Sequence, residues 1–219
     1  MSIEKHVMNV QNEKSPGNHE KMRRKAAEIF LTYDLDEMAD KLGIDRDKDY
    51  LYITMLSRSY RIKRSDGSVE WASDGTSGFK KAGFSESMTL YDLIAYSKPG
   101  ARPSGEYTKI NNLADTVTGQ YYAGKGMVDE MSKEFEGRGQ DLARACEALG
   151  GTPYGRGDVS YMIPIWNGLF FVVSFWDSDE EFPPQLNVFT DTAMRDFIHY
   201  ETIWYLEGHL MDMIRHLMC

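Results

Sequence analysis

Three acidic residues sit inside the segment Trp176-Asp177-Ser178-Asp179-Glu180-Glu181-Phe182-Pro183-Pro184, directly after an apolar run that reads as a buried strand. Carboxylates this close repel one another unless solvent, a capped backbone, a cation or a proton compensates. Sharing a proton, they would act as acid and base. Phe182 precedes Pro183 and is thereby held extended, which fixes the path of the loop. If the chain runs extended here, Asp179 and Glu181 point to one side and Glu180 to the other, so Asp179 and Glu181 form a candidate carboxylate pair. A solvated structural loop is the commoner fate of such a run and stays open beside it.

Glu201 is the second anomaly. Met194, Phe197, Ile198 and Trp204 fall on one helical stripe, and Glu201 lies inside it. A buried carboxylate must be paired or protonated, and a structural partner is the simpler reading than a reactive acid. His199 lies near the start of the same helix and has the side chain that titrates near neutral pH, although no partner for it is legible. Asp179, Glu181 and Glu201 are therefore the candidate catalytic residues. Trp176, Phe182, Pro183 and His199 are the candidate ligand contacts.

Other motifs fail on named residues. Gly119 to Gly126 spells most of a phosphate-binding loop, but Gly126 stands where Ser or Thr must hold magnesium, and the preceding strand is poor. Asp45, Asp47 and Asp49 begin like a calcium loop, but Tyr50 replaces the required glycine and Leu56 the closing glutamate. Arg156-Gly157-Asp158 reads as a turn into a strand. His209 and His216 are spaced too widely for a helical metal pair and read as a solvated stripe. Methionines such as Met211, Met213 and Met218 read as adaptable core filling.

These residues need elements to hold them. Residues 1–18 are polar and include Ser15-Pro16-Gly17-Asn18, which predicts a mobile tail. Met22, Ala26, Ile29, Phe30, Met38 and Leu42 have helical spacing from Glu20 to Leu42, broken by a cap at Asp34 and closed at Gly43. Tyr50–Leu56, Ser59–Lys63 and Val69–Trp71 predict a small antiparallel meander with a turn at Ser65-Asp66-Gly67. Ser87–Ser97 predicts a helix that Lys98-Pro99-Gly100 ends. A long loop follows over 99–121, then a helical stretch from Met127 to Leu149 interrupted at Gly137-Arg138-Gly139. Tyr161–Ile165 and Leu169–Trp176 flank Trp166-Asn167-Gly168, a strong hairpin signal. Thr190 or Asp191 is expected to cap a long C-terminal helix to Leu217.

A chain of 219 residues, 42% hydrophobic and 12% aromatic, predicts one domain (residues 19–219) with a real core. Strands not spaced by regular helices predict an α+β fold, an antiparallel sheet covered by helices. A net charge of −9 without a basic stripe argues against nucleic acid and anionic membrane partners. Two cysteines without a C-x-x-C argue against a thiolate-held metal or cluster. The absence of a signal-like N-terminus and of a long apolar run gives a cytoplasmic expectation.

The order of motifs resembles a known family. A Gly-Gly follows a helix, then come Gly157-Asp158, a Met-Ile-Pro strand, a strand ending in Trp, Asp-Glu-Glu-Phe-Pro, and Phe-Thr-Asp before a helix carrying Tyr200-Glu201. Leu35-Asp-Glu-Met-Ala-Asp-Lys-Leu-Gly43 and the helix and loop from Leu90 to Gly105 fit as well. Over roughly residues 20–217 the chain is similar to the bacterial and archaeal family catalogued as domain of unknown function 3786. The resemblance implies anaerobic hosts, and relatives that carry an iron–sulfur domain of the type found in corrinoid proteins. This chain has no cysteine cluster to match that module. The family implies no assigned catalytic residue; it adds weight to Asp179, Glu181, Phe182, Pro183 and Glu201 as a set.

The expected function is binding of a small organic ligand or cofactor, a tetrapyrrole or corrinoid among them, in anaerobic metabolism. The alternative is a cofactor-independent hydrolase or isomerase that uses Asp179, Glu181 and Glu201 as acid and base. Ligand, reaction and any homo-oligomer are left open by the residues themselves.

Overall fold

The structure, a computed structural model, describes residues 16–72, 78–113 and 127–219. The phosphate-loop-like run from Gly119 to Gly126 and the first fifteen residues of the expected tail lie outside them. The chain divides into two compact units, residues 1–101 with 196–206 and residues 102–195 with 207–219.

The first unit opens with helix α1 (Pro16–Phe30), which starts inside the segment expected to be a tail. Helix α2 (Leu35–Leu42) is bounded where the residues demand it. The Asp34 carboxylate accepts the N–H groups of Asp36 and Glu37, and Gly43 closes the helix at a left-handed φ of +64°. Strands β1 (Asp45–Arg46), β2 (Tyr50–Met55), β3 (Arg58–Lys63), β4 (Val69–Ala72) and β5 (Phe79–Lys81) form a meander in that spatial order. Cross-strand partners such as Ile53 and Tyr60 alternate with exposed residues, so one face of this sheet carries Leu51, Ile53, Met55, Tyr60, Ile62 and Val69 into the core. Helix α3 (Phe84–Tyr96) is buried on nearly every side from Glu86 to Ile94 and packs against α1. A helix that is apolar all round belongs in a core, and the charged Asp92 inside it then needs a partner.

The second unit is built on a second antiparallel sheet. Strands β6 (Tyr107–Lys109), β7 (Thr152–Pro153), β8 (Val159–Trp166), β9 (Leu169–Trp176) and β10 (Gln185–Asp191) stand in the order β6-β10-β9-β8-β7. The β8–β9 hairpin turns on Asn167 and Gly168, both at positive φ, as the Asn-Gly pair predicts. Helices α4 (Met127–Glu134) and α5 (Gly139–Ala148) flank the expected interruption and pack on β10 and β8. Ile163, Phe171, Val173, Phe175, Phe135 and Leu142 make the core here.

The last helix, α6 (Tyr200–Leu217), begins later than the sequence suggests. Residues 185–191 are β10, and Asp191 caps no helix. Val188, Phe189 and Thr190 have the branched and aromatic side chains that suit a strand, and they pair with β9. The buried Asp191 carboxylate instead accepts N–H groups of Ser104, Gly105 and Ala193 and the Ser104 hydroxyl, which pins part of the long loop. His209 is buried, so it is not part of a solvated stripe; Met211, Met213 and Met218 fill core as expected. The α+β expectation holds, with two antiparallel sheets where one was expected.

Candidate functional site

The acidic loop belongs to the second unit and is spent largely on its own backbone. Asp158 Oδ2 accepts the Asp177 N–H at 2.8 Å, and Asp177 accepts the N–H of Gly137 at 3.0 Å. Asp179 Oδ1 accepts the N–H groups of Glu181 and Phe182 at 2.8 and 2.7 Å, while the Asp179 N–H donates to the Phe182 carbonyl at 3.0 Å. The backbone therefore turns at 179–182 rather than running extended, and strand-like alternation does not place Asp179 and Glu181 side by side. A short polar side chain that can bond its own backbone two residues on favours such a turn. Glu180, Glu181 and Pro183 are exposed, and Phe182 is 58% exposed. Trp176 is half-buried beneath the preceding loop, where Gly157 leaves no room for a side chain: a Cβ there would stand 3.1 Å from the indole.

In the first unit the residue that gains a partner is His199. Asp92, only 1% exposed, holds it twice: Asp92 Oδ1 lies 2.6 Å from His199 Nδ1, and Asp92 Oδ2 accepts the His199 backbone N–H at 2.7 Å. An ionised carboxylate only accepts, so Nδ1 carries the proton and the imidazole lone pair sits on Nε2. The Tyr96 ring lies 3.8 Å from the imidazole, centroid to centroid, and limits its rotation. The segment before α6 is tied to the end of α3 at further points. The Ser97 hydroxyl bonds the carbonyls of Leu93 and Phe197, Lys98 Nζ meets Asp196 Oδ1 at 2.6 Å, and the Lys98 N–H meets the Asp196 carbonyl at 2.8 Å. The imidazole is thus fixed at the start of α6 and keeps 13% of its side-chain surface exposed.

The family described as Domain of unknown function (DUF3786) matches residues 34–213. The chain belongs to that family. No curated protein and no solved structure matches it. The DUF3786 match spans Asp92, His199, Glu201 and the whole acidic loop.

Glu201, expected within a buried stripe, is half-buried on the first turn of α6 and belongs to the first unit with His199. The deeply buried carboxyl of that helix is Glu207, 3% exposed, in the second unit. Its Oε2 has no hydrogen-bond partner among the described residues, and burial pushes its pKa up to about 7. Burial also pushes the Cys146 thiol up to about 12, so it is no thiolate nucleophile. Among the described residues no group of three or more His, Cys, Asp or Glu side chains is placed to hold a metal ion. No helix among them is long and apolar enough to cross a membrane. Sequence reasoning missed Asp92 and Glu207. The signal for Asp92 was present: an aspartate between Leu90 and Ile94, in a helix with no polar face at that point.

Proposed function

We propose that this chain binds a small organic ligand or cofactor at His199, with a tetrapyrrole of the haem or corrinoid kind as the first candidate. The setting is cytoplasmic, anaerobic metabolism, as the family resemblance implies. One observation carries the reading: a buried carboxylate, Asp92, is spent on orienting one half-buried imidazole. Such a pair fixes the tautomer and raises the basicity of the far nitrogen, which is how proteins prepare a histidine to hold a ligand. The net charge of −9 supports a small molecule over a nucleic acid or an anionic membrane. The paired-carboxylate alternative lacks comparable support, since Asp179 serves backbone N–H groups and Glu181 is exposed.

Purified full-length chain titrated with haemin and with hydroxocobalamin tests the proposal. A saturable absorbance change is expected with one of them. The unfolding midpoint should rise as well, the gain being about 2.7 kcal/mol at a hundredfold excess over the dissociation constant. A chain whose spectrum and midpoint are unmoved by both sinks the tetrapyrrole reading.

A further inference from the structure

We infer that His199 Nε2 is the axial ligand to the metal of a chelated cofactor, and that Asp92 is the positioning residue that sets its donor strength. The inference rests on the function proposed above and adds the atom that makes the bond.

The donor chemistry of the site fits such a group. A metal already held by a macrocycle asks the protein for one neutral nitrogen on its axis. His199 is set up for that role from three sides. Asp92 Oδ1 takes the Nδ1 proton at 2.6 Å, so the remaining lone pair is on Nε2. Asp92 Oδ2 holds the His199 backbone N–H at 2.7 Å, so the main chain that carries the ring is fixed by the same carboxylate. Tyr96 lies against the ring face, with centroids 3.8 Å apart, and restrains the remaining torsion. A carboxylate in this position increases the electron donation of the imidazole. A bare ion is served less well. The described residues provide no cluster of three or more metal-binding side chains, so a metal at His199 would bring its other ligands with it. Bond formation uses the Nε2 lone pair, leaves the proton between Nδ1 and Asp92, and requires no change of oxidation state.

The test uses the full chain with haemin, in wild type, His199→Ala, Asp92→Asn and Asp92→Glu. Absorbance titration gives the dissociation constant, and resonance Raman of the dithionite-reduced complex reads the iron–imidazole stretch. Wild type is expected to show the stretch. His199→Ala is expected to lose it and to bind at least tenfold more weakly, and added free imidazole should restore the wild-type spectrum. Asp92→Asn is expected to keep the bond at a lower stretching frequency with about 10–100-fold weaker binding, and Asp92→Glu to fall between. If Asp92→Asn does not fold, His199→Ala with imidazole rescue still decides the ligand.

The outcomes separate the two claims. If wild type binds neither haemin nor hydroxocobalamin, the functional reading fails and takes this inference with it. If either binds and His199→Ala keeps the wild-type spectrum and affinity, only the axial-ligand inference is overturned. A stretch unmoved in both Asp92 variants removes the positioning role.

Discussion

At the scale of single residues, the chain separates carboxyl groups by what surrounds them. Asp179 looks reactive in the sequence and is occupied by its own turn, whereas Asp92 looks unremarkable and holds an imidazole. Glu207 is the third kind, buried and raised to about 7 from 4.5 by loss of solvent. Its effect on stability has a definite sign. Below pH 4.5 the group is protonated in folded and unfolded chains alike, and its stabilising balance is fully present. Between 4.5 and about 7 only the unfolded chain ionises, so stability falls as pH rises and levels off above that window. At about 1.4 kcal/mol per pKa unit the loss is on the order of 3 kcal/mol. Urea unfolding of wild type and Glu207→Gln at pH 5, 6, 7 and 8 should show the variant gaining on wild type up to pH 7 and then holding level. A difference independent of pH would contradict the assignment. The cysteines make a second residue-scale prediction. Cys146 is buried and Cys219 exposed. Iodoacetamide at pH 8 should therefore label one thiol per native chain, at Cys219, and two after denaturation; native labelling of Cys146 would count against its burial.

Elements are held by caps and close contacts that each rest on a few atoms. Asp34 supplies the N-cap of α2 with two hydrogen bonds, so Asp34→Ala should cost about 1 kcal/mol of stability by denaturant unfolding. The loop before β8 gives a sharper comparison. Gly155 and Gly157 both have left-handed backbones, at φ +82° and +87°. A Cβ at Gly155 would meet nothing within 4 Å, whereas one at Gly157 would stand 2.6 Å from the Phe175 carbonyl and 3.1 Å from the Trp176 ring. Ala at Gly155 should cost about 1–2 kcal/mol from backbone strain alone. Ala at Gly157 should cost clearly more and should perturb Trp176 fluorescence. Equal costs at the two positions would show that the contact with Trp176 is dispensable.

Across the whole molecule, what the sequence revealed was what local chemistry decides. The Asp34 cap, the Gly43 stop, the meander over 50–72 and the Asn167-Gly168 turn all follow from residues within one element or one turn. The strand at 185–191 was read as the lead-in to a helix because Thr190 and Asp191 have cap chemistry; pairing with β9 outweighed that local preference. The His199 partner was out of reach for a different reason. Asp92 is 107 residues away in sequence, and nothing periodic connects the two positions. His199 was identifiable as a candidate, and the structure supplies the group that prepares it. The central claim is that this imidazole is the point where the chain holds its ligand. Parallel titration of wild type and His199→Ala with haemin and hydroxocobalamin tests it most directly. The account predicts saturable binding by wild type to at least one of them and at least a tenfold higher dissociation constant for the variant. Equal dissociation constants, or no binding by wild type to either, would contradict it.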